Sequence, residues 1–580
     1  MKYLILGGVA AGTKAAAKLK RCDRSAEVRI VTKSRDISYA GCGLPYYLGG
    51  EIETREALVV NTPAKFAALT GAEVLTGREA VALDAAAKTV RVRGEAGEEY
   101  DEAYDKLVIA VGAAPFVPDV PGVRLPGVFP VRTPDDAVAA RAYIEQNHCR
   151  RAVVCGAGFI GLETAENLLA QKLEVTVIDA AGQILPNAFD EDMAAYAKKQ
   201  LKKAGLRVLT GTTLLGVAGE GRAEGVRTDA GLLPADLVIV AIGVRPATKF
   251  LEGSGLEMFK GTIVVDGQMK TNLPDVYAVG DCAMVRNELT GKGQWSAMGS
   301  TANLTARLLA KALTGGQARY PGCLGTGVAK LLPSLNAGRT GLTELQAKAA
   351  GLDAVSATAV LDDKAHYYPG ASSFVVKLVA ERESRRLLGL QVLGAGAVDK
   401  MTDIAVLALS QNAKLGDFDT MDFAYAPPFS TAIHPFVSAC YVLENKLAGE
   451  LESFTPAEYA AGAAEGYTVL DAQPAPAIPG ARWMDITKVN GPVEGLGKAD
   501  KLLLVCAKGK RAYFLQNRLK AFGYTNTRVL EGGVYVNDVH VPRAGGKLPP
   551  EEIKRVKALG CLWDKRYDDR FNVRDITRNG

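Results

Sequence analysis

The chain has 580 residues, 48% of them apolar and 23% charged, which is typical of a soluble globular protein with several domains. Its net charge of +5 is spread along the chain without a block of basic residues, so binding to nucleic acid or to an anionic membrane is not expected. It contains no apolar run long enough to span a membrane and no Cys-x-x-Cys pair. This argues against a membrane protein, a zinc site and a disulfide framework, and it favours a reducing cytoplasm.

The first segment of the chain, residues 2–31, has the pattern of a βαβ unit. Lys2–Leu6 is predicted to be a buried strand, Thr13–Lys20 a helix and Glu27–Val31 a second strand. The turn before the helix suits a pyrophosphate, because backbone N–H groups at a helix N-terminus point toward a bound anion. Val9 stands where such turns usually have their second glycine, so a tight turn in another α/β fold is the alternative. The residues assigned to the cofactor here are Gly7, Gly8, Ala10, Ala11 and Gly12.

A single cysteine, Cys42, lies in the stretch Ser38–Tyr47, about thirty residues after the glycine turn. A disulfide reductase of the common type has two cysteines at such a place. A lone thiol must therefore cycle through a mixed disulfide, a persulfide or a sulfenic acid. Leu44-Pro45 is predicted to begin a helix, and a thiol at a helix N-terminus is expected to have a lowered pKa. The alternative is a buried, inert cysteine.

The second copy of the nucleotide-binding pattern is more regular than the first. Arg151–Cys155 is predicted to be a strand, residues 162–171 a helix and Glu174–Ile178 a strand that ends at an aspartate. An acid at that position accepts hydrogen bonds from a ribose and repels a 2′-phosphate, so NADH is favoured over NADPH. The residues assigned to this cofactor are Gly156, Gly158, Ile160, Gly161 and Asp179.

Three later segments complete the first domain. Residues 107–113 and 237–243 are predicted to be apolar strands that bracket the second nucleotide unit, as expected if one domain is inserted into another. Residues 271–281 end in Gly-Asp, where the aspartate can accept hydrogen bonds from ribityl hydroxyls or cap a following helix. The cofactor residues predicted from these segments are Gly112, Gly243, Gly280 and Asp281.

The second half of the chain changes character. Residues 325–450 alternate apolar and polar positions around alanine-rich helices, which predicts an α+β module for dimerisation, and Glu450–Ala464 is interpreted as a linker. Further on, a strand at Leu502–Val505 ends directly in Cys506, and a helix is predicted over 512–522. The loop Cys506–Arg511 can wrap its amides around one sulfur, with Lys508, Lys510 and Arg511 adding positive charge for an anion.

These motifs carry a family resemblance. Residues 1–450 resemble the pyridine nucleotide-disulfide oxidoreductases with a single active cysteine, and residues 462–545 resemble a rhodanese domain. The resemblance implies an α/β fold with two nested Rossmann-like domains, an α+β dimerisation domain and a C-terminal rhodanese-like α/β domain. The implied boundaries are 1–116 with 245–322 for FAD, 117–244 for NAD(H), 323–450 for dimerisation, 462–545 for the rhodanese-like domain and 546–580 for a tail.

The resemblance also implies a function. The chain as a whole resembles fusions of coenzyme A-disulfide reductase with rhodanese, some of which are NADH-dependent persulfide reductases. The implied cofactors are FAD and NADH, with coenzyme A as a candidate substrate or bound thiol. The implied partners are a small thiol or persulfide and a second copy of the chain in a homodimer. The implied catalytic residues are Cys42, Cys506, Tyr425, Tyr368 and Arg511, with the tyrosines approaching the partner's active cysteine.

Some positions depart from the family pattern. Thr32 replaces an acid at the end of the second strand, and Lys33 is assigned to the flavin in its place, together with Ser38. Gly41 replaces an asparagine found in many coenzyme A-disulfide reductases, and Gln473 replaces an arginine of the rhodanese motif. His434 is interpreted as a packed surface histidine rather than an acid–base group. The alternatives for the whole chain are an NADH oxidase or peroxidase that uses a sulfenic acid, and a slow redox sensor or sulfur-carrier scaffold.

Overall fold

The computed structural model describes residues 1–539 and residue 541, so the predicted tail over 546–580 lies outside the described residues. The structure divides into two units, which we describe separately. The first consists of residues 1–177, 215–227 and 233–325, and the second of residues 178–214, 228–232 and the chain from 326 onward. Within the described residues, no helix has both the length and the apolar character needed to cross a membrane.

The helices are α1 Ala10–Cys22, α2 Leu44–Leu48, α3 Arg55–Leu58, α4 Pro63–Thr70, α5 Pro134–Gln146, α6 Phe159–Ala170, α7 Glu191–Lys203, α8 Gly299–Leu313, α9 Glu344–Ala349, α10 Val398–Ser410, α11 Pro435–Leu447, α12 Pro456–Ala460, α13 Lys510–Ala521 and α14 Gly533–Val536. The strands are β1 Lys2–Leu6, β2 Glu27–Val31, β3 Glu73–Leu75, β4 Glu79–Asp84, β5 Thr89–Arg93, β6 Glu99–Ala103, β7 Lys106–Ile109, β8 Ala113–Pro115, β9 Val128–Pro130, β10 Arg151–Cys155, β11 Glu174–Asp179, β12 Arg207–Thr210, β13 Leu214–Ala218, β14 Gly225–Thr228, β15 Gly231–Pro234, β16 Leu237–Val240, β17 Val244–Pro246, β18 Met258–Phe259, β19 Thr262–Val264, β20 Val276–Ala278, β21 Ala283–Arg286, β22 Gly293–Trp295, β23 Gly327–Leu332, β24 Leu335–Gly341, β25 Ala354–Asp362, β26 Ser373–Glu381, β27 Leu387–Gly394, β28 Ser453–Phe454, β29 Thr468–Asp471, β30 Arg482–Trp483, β31 Leu502–Val505 and β32 Thr527–Leu530.

The first unit is built around a parallel sheet with the strand order β20-β7-β1-β2-β3. Both faces of β1 are covered, because alternate side chains of a strand point to opposite sides. Tyr3 and Ile5 pack with residues of α1 and α8, whereas Leu4 and Leu6 pack with Val90 and other residues of the β4-β5-β6 meander. The predicted strands Lys2–Leu6 and Glu27–Val31 are confirmed residue by residue.

The second nucleotide motif begins in the same unit. β10 runs parallel to β16, which runs parallel to β9, and the predicted strand Arg151–Cys155 is confirmed. The strands predicted over 107–113 and 237–243 are shorter in the structure. β7 ends at Ile109 and β16 at Val240, because the chain then turns toward glycines with positive φ. Near the predicted domain boundaries at 116 and 245, β8 pairs with β17 in antiparallel orientation.

The second unit contains two further sheets. One is antiparallel with the order β23-β24-β27-β26-β25, and the other is parallel with the order β28-β32-β31-β29-β30. The linker interpretation of Glu450–Ala464 is wrong, since β28 pairs with β32 and α12 follows it. Phe454 packs edge-on against Tyr467, with ring centroids 5.3 Å apart. The segment therefore forms the first strand of the parallel sheet and the helix that follows this strand.

A buried ionic cluster lies within the second unit. The Lys377 ammonium is 3.0 Å from an Asp192 carboxylate oxygen, 3.4 Å from Asp190 and 3.3 Å from Glu344. Gln391 donates a hydrogen bond to Asp190 over 2.7 Å and accepts one from its backbone N–H. Burial raises the pKa of Asp192, whereas Lys377 and neighbouring hydrogen bonds overcome burial and lower the pKa of Glu344 to about 2. The carboxylates in turn overcome the effect of burial on Lys377 and raise its pKa.

Candidate functional site

The first glycine turn is shorter than predicted. Helix α1 begins at Ala10 rather than Thr13, so the turn itself is Gly7–Val9. Gly7 has φ +107°, and a Cβ there would lie 2.2 Å from the Ala110 carbonyl oxygen. A Cβ on Gly12 would lie 1.8 Å from the Gly7 carbonyl oxygen. Both positions require glycine, and the turn directs the N-terminus of a 13-residue helix outward, which fits a dinucleotide pyrophosphate.

The second glycine turn repeats this geometry. Helix α6 begins at Phe159, three residues before the predicted start. Gly156 has φ +112°, and its Cβ would lie 2.3 Å from the Ala241 carbonyl oxygen. A Cβ on Gly161 would lie 1.9 Å from the Gly156 carbonyl oxygen, whereas one on Gly158 would meet nothing within 4 Å. The space over Gly158 leaves room for a phosphate to approach the backbone.

The acidic residue predicted to contact the ribose, Asp179, is the last residue of β11 and is partly exposed. One carboxylate oxygen accepts a hydrogen bond of 2.8 Å from the Ala181 backbone N–H. Ile160, in the first turn of α6, is 41% exposed, which is unusual for a large apolar residue. Gly243 has φ +118° and open space around its Cβ direction.

The Gly280-Asp281 pair lies beside the first turn. A Cβ on Gly280, which has φ +77°, would lie 2.9 Å from the Ala11 side chain. The Asp281 carboxylate accepts a hydrogen bond of 3.0 Å from Arg132, a residue that lies in no sequence motif. Asp281 does not cap a helix, because it lies in a short 3-10 turn and α8 begins only at Gly299. This arrangement fits the position expected for a flavin contact.

The other predicted flavin residues take different positions. Ser38 has φ +50°, and its N–H donates to the Gly8 carbonyl over 2.9 Å, which places it against the first turn. Gly112 has φ +70° and lies near Arg132. Lys33 is exposed and forms a salt bridge of 2.9 Å with Glu79. Its assignment to the flavin stays a prediction.

Cys42 lies in a 3-10 turn, Gly41–Gly43, directly before α2. Its side chain is exposed to solvent, so the inert, buried alternative does not describe it. A Cβ on Gly41 would meet nothing within 4 Å, so this position has room for a larger residue such as asparagine. The structure therefore gives no packing reason for glycine at this position.

Helix α2 joins the Cys42 turn to the second nucleotide motif. Gly49, the residue that follows α2, lies so close to α6 that a Cβ there would come within 2.0 Å of the Asn167 side chain. One turn earlier, the Tyr46 hydroxyl donates to Glu163 of α6 over 3.2 Å. Asn167 and Glu163 could not be recognised from the sequence, because their role depends on this packing. The contacts bring the Cys42 turn against the helix that begins at the second glycine turn.

The predicted lowering of the Cys42 pKa is wrong in this structure. Partial removal of water by the surrounding protein raises the pKa of the thiol, and the Glu163 carboxylate raises it further. Arg132 acts in the opposite direction, and Asp281 adds a smaller rise. Helix α2 has only five residues, so its dipole is too weak to outweigh the burial and the negative charge. The thiol reaches solvent at one side while the protein still removes part of its hydration.

Cys506 is buried, in contrast to Cys42, with 2% of its surface exposed. Its sulfur accepts hydrogen bonds from the backbone N–H groups of Gly509, at 3.1 Å, and Ala512, at 3.4 Å. Gly509 has φ +97° and caps α13, which begins two residues before the predicted start at 512. The prediction that this loop wraps its amides around the sulfur is confirmed.

The basic residues of the Cys506 loop are held by other groups. The Lys508 ammonium lies 2.6 Å from Asp362 and 2.8 Å from the Ser373 hydroxyl. Arg511 donates from Nε to the Ala472 carbonyl over 2.8 Å. Lys510 lies over the Phe514 ring, 5.9 Å from its centroid. The positive charge predicted for this loop is therefore partly neutralised by Asp362, and the Arg511 and Lys510 side chains contact other groups.

The shortened segment before this loop is ordered by one buried aspartate. Asp471 accepts hydrogen bonds from the backbone N–H groups of Gln473, Ala477 and Ile478, at 2.9, 2.7 and 3.0 Å. Trp483 donates to the Gln473 carbonyl over 3.0 Å. The segment therefore holds its shape through backbone contacts to Asp471, without the arginine that Gln473 replaces.

The predicted tyrosines are exposed on the second unit. Tyr368 is 39% and Tyr425 49% exposed, and a hydrogen bond with Tyr425 raises the pKa of Tyr367. His434 is buried rather than at the surface. Its Nδ1 accepts a hydrogen bond of 3.2 Å from the Phe436 N–H at the start of α11, and burial lowers its pKa to about 4. The structure thus gives His434 a helix-capping role, with a neutral ring at neutral pH.

Comparisons with known proteins agree with this arrangement. A family model described as pyridine nucleotide-disulphide oxidoreductase matches residues 1–299, its dimerisation domain matches 332–436, and a rhodanese-like domain matches 455–536. The chain is 33% identical over 450 residues to an NADH oxidase of Methanocaldococcus jannaschii, covering 78% of this chain and 100% of the relative. It is 35% identical over 445 residues to an NAD(P)H coenzyme A polysulfide/persulfide reductase of Pyrococcus horikoshii, covering 76% and 98%. The solved structure of an NAD-dependent persulfide reductase from A. fulgidus is similar, with a TM-score of 0.87 and 32% sequence identity. The match covers 92% of this chain and 100% of that one.

Proposed function

The chain belongs to the pyridine nucleotide-disulphide oxidoreductase family, and we propose that it uses FAD and NADH to reduce the S–S bonds of small persulfides, polysulfides or coenzyme A disulfide through Cys42. The observation that carries the proposal is the exposed, unpaired Cys42, whose turn packs through α2 against the helix of the second glycine turn. The rhodanese-like domain supports a sulfane-sulfur substrate, because Cys506 lies in a loop whose amides hold its sulfur.

Cys42 carries out the proposed reaction through its thiolate. The thiolate attacks a persulfide R–S–SH, forming Cys42–S–S–R and releasing HS⁻. Two electrons from NADH and one proton then restore the thiolate and release R–SH. The chemistry that a bound flavin supplies is the transfer of those electrons from the nicotinamide to sulfur. Arg132 is the group that favours the reactive thiolate of Cys42, whereas burial and the Glu163 carboxylate raise the pKa of the thiol.

The residues that would bind the cofactors are those of the two glycine turns and the two aspartates predicted to accompany them. Gly7, Gly12 and Asp281 would hold FAD, and Gly156, Gly158 and Asp179 would hold NADH. Asp179 supports NADH over NADPH, because its carboxylate would repel a 2′-phosphate. A homodimer is supported by the match to the dimerisation domain, and Tyr368 and Tyr425 would reach the active cysteine of the partner.

Replacing Asp179 with alanine tests the choice of nicotinamide cofactor. We expect kcat/KM for NADH to fall about 10- to 100-fold, the effect of losing a charged hydrogen bond of about 1.5–3 kcal/mol. The value for NADPH should fall much less or rise, because the repulsive charge is gone. Steady-state rates with both cofactors measure the ratio. Asp229 lies on the same unit, and Asp229→Ala is the control. An unchanged ratio of kcat/KM for NADH and NADPH in Asp179→Ala would contradict the assignment of Asp179 to the cofactor.

A second function has one observation in its favour. The NADH oxidase relative matches over its full length, and a single cysteine can cycle through a sulfenic acid in oxygen or peroxide reduction. The rhodanese-like domain favours the sulfur reaction, because oxygen reduction has no use for a sulfur carrier.

Parallel measurement of four electron acceptors tests the proposed function. NADH oxidation is followed with coenzyme A persulfide, coenzyme A disulfide, hydrogen peroxide and oxygen under otherwise identical conditions. We expect kcat/KM for the sulfur acceptors to exceed the values for oxygen and peroxide by about tenfold or more, which corresponds to 1.4 kcal/mol. A higher value with oxygen or peroxide would support the oxidase alternative, and slow rates with all four would support the sensor or scaffold.

A further inference from the structure

The backbone N–H groups of Gly509 and Ala512 hold the sulfur of Cys506, and we call this arrangement the sulfur cradle. Residues from a different sheet of the same unit border it. Lys508 lies between Cys506 and Gly509, whose N–H donates to the sulfur. Its ammonium is bound by Asp362 and Ser373 of the antiparallel sheet, at 2.6 and 2.8 Å. The loop that holds the sulfur is therefore tied to that sheet through the side chain of Lys508.

The two partners of Lys508 are held in place by their strands. Asp362 is the last residue of β25 and Ser373 the first residue of β26, and the two are paired directly in the sheet register. The backbone closes the hairpin just beyond them, where the Asp363 N–H donates to the Ser372 carbonyl over 2.9 Å. Lys508 thus meets a fixed carboxylate and hydroxyl rather than a flexible surface group.

This pairing changes the charge next to the cradle. The Asp362 carboxylate compensates the ammonium that lies closest in sequence to Cys506. Arg511 is turned toward the Ala472 carbonyl, and Lys510 is exposed over the Phe514 ring. The groups that contact the sulfur itself are backbone N–H groups of Gly509 and Ala512. Such a cradle suits a small donor of low charge better than a doubly charged oxyanion.

We infer that Asp362 determines which sulfur donors Cys506 accepts, so that small persulfides with a single negative charge are preferred over the thiosulfate dianion. The inference rests on the proposed function of Cys506 as a sulfur carrier. In the transfer, the Cys506 thiolate attacks the outer sulfur of R–S–SH, a new S–S bond forms, and the donor's own S–S bond breaks to release RS⁻. The same attack on thiosulfate releases sulfite. Neither transfer needs an oxidant or a reductant, and Asp362 acts on both only through Lys508 and the local field.

Four variants of the full chain test this inference: Asp362→Asn, Lys508→Met, the double variant and Asp353→Asn. Asp353 also forms an ion pair in this sheet region, with Arg382 at 3.0 Å, but not with the Cys506 loop. Each protein is mixed with thiosulfate or with the persulfide of 2-mercaptoethanol, which carries a single negative charge, and the addition of one sulfur atom to the protein is followed by intact mass spectrometry. Cys506→Ser identifies the sulfur that belongs to Cys506.

We expect Asp362→Asn to raise the loading rate with thiosulfate about 3- to 10-fold at low salt, because the freed ammonium attracts the dianion. Loading with the persulfide should change less than about twofold, and the gain should shrink at high salt. The double variant should lose the gain, and Asp353→Asn should behave like the wild type. The ratio of the two donors and its salt dependence separate this effect from a structural one, which would slow both donors together.

The outcomes separate this inference from the function on which it rests. If the wild type loads normally but Asp362→Asn leaves the donor ratio unchanged, or if the gain persists without Lys508, the inference is wrong while the carrier function stands. The same holds if Asp353→Asn shifts the ratio equally. If the wild type takes sulfur from neither donor, or Cys506→Ser loads as well as the wild type, the carrier function itself is wrong.

Discussion

Replacing Cys42 with serine should reduce anaerobic NADH oxidation by coenzyme A persulfide by about three orders of magnitude or more, as expected for loss of a catalytic nucleophile. A serine hydroxyl cannot form the mixed disulfide through which the electrons must pass. Cys42 is the only cysteine in the stretch 38–47, so no neighbouring thiol in that stretch can replace it. The rate is measured by the loss of NADH absorbance in the absence of oxygen.

A matched variant separates a catalytic effect from a general one. Cys22 is also an exposed thiol of the first unit, at the end of α1, and Cys22→Ser should retain the wild-type rate within about twofold. In Cys42→Ser itself, reduction of bound flavin by NADH should persist, because the glycine turns do not include Cys42. Undiminished turnover by Cys42→Ser would refute the proposed mechanism.

Replacing Lys377 with methionine should destabilise the second unit by about 3–5 kcal/mol, the effect of removing one partner from a buried ion pair. The Lys377 ammonium is the group that Asp190, Asp192 and Glu344 share, and its side chain is only 3% exposed. Methionine fills a similar volume but leaves the carboxylates facing one another without a counter-charge. Hydrogen exchange of the β26 amides and the midpoint of urea unfolding measure the loss.

Lys348→Met is the control for this prediction. Lys348 pairs with the same Glu344, at 2.7 Å, but its side chain is 58% exposed, so its loss should cost about 1 kcal/mol or less. Equal effects of the two variants would contradict the importance that we assign to burial.

The effect of Lys377→Met should also depend on pH in a defined direction. In the wild type, the pKa of Glu344 is lowered to about 2, so its contribution to stability is present above its unfolded pKa and is lost as the pH falls toward 2. Asp192 has a raised pKa and contributes in the opposite direction. Without the ammonium, protonation relieves the carboxylate repulsion. The destabilisation by Lys377→Met should therefore be smaller at pH 4 than at pH 7.

Local patterns in the sequence predicted several elements with accuracy. The strands β1, β2 and β10 were predicted residue by residue, because each is a short apolar run beside a glycine turn or a polar residue. The two helix starts were placed three residues too late, at Thr13 and Leu162. Glycine and alanine in the turn motif were counted as turn, whereas the helix already includes the later residues of that motif.

Elements that depend on distant partners were predicted less well. The sequence indicates a linker where β28 lies, because two residues carry no periodic signal and become a strand only by pairing with β32. The direction of the Cys42 pKa shift depends on Glu163, which reaches the thiol only through the packing of α2 on α6. His434 is predicted at the surface, whereas the fold buries it as a helix cap.

Local sequence is enough to specify the two glycine turns, the single cysteine at 42 and the loop that holds the sulfur of Cys506. Each of these depends on residues within about ten positions of one another, where backbone geometry acts directly. The charges around the two sulfurs and the ionic cluster at Lys377 depend instead on contacts between distant parts of the chain. Lys508 meets Asp362 across 146 positions, and Lys377 meets Asp192 across 185. Electrostatic interactions depend on distance in space, and the chain order does not reveal that distance.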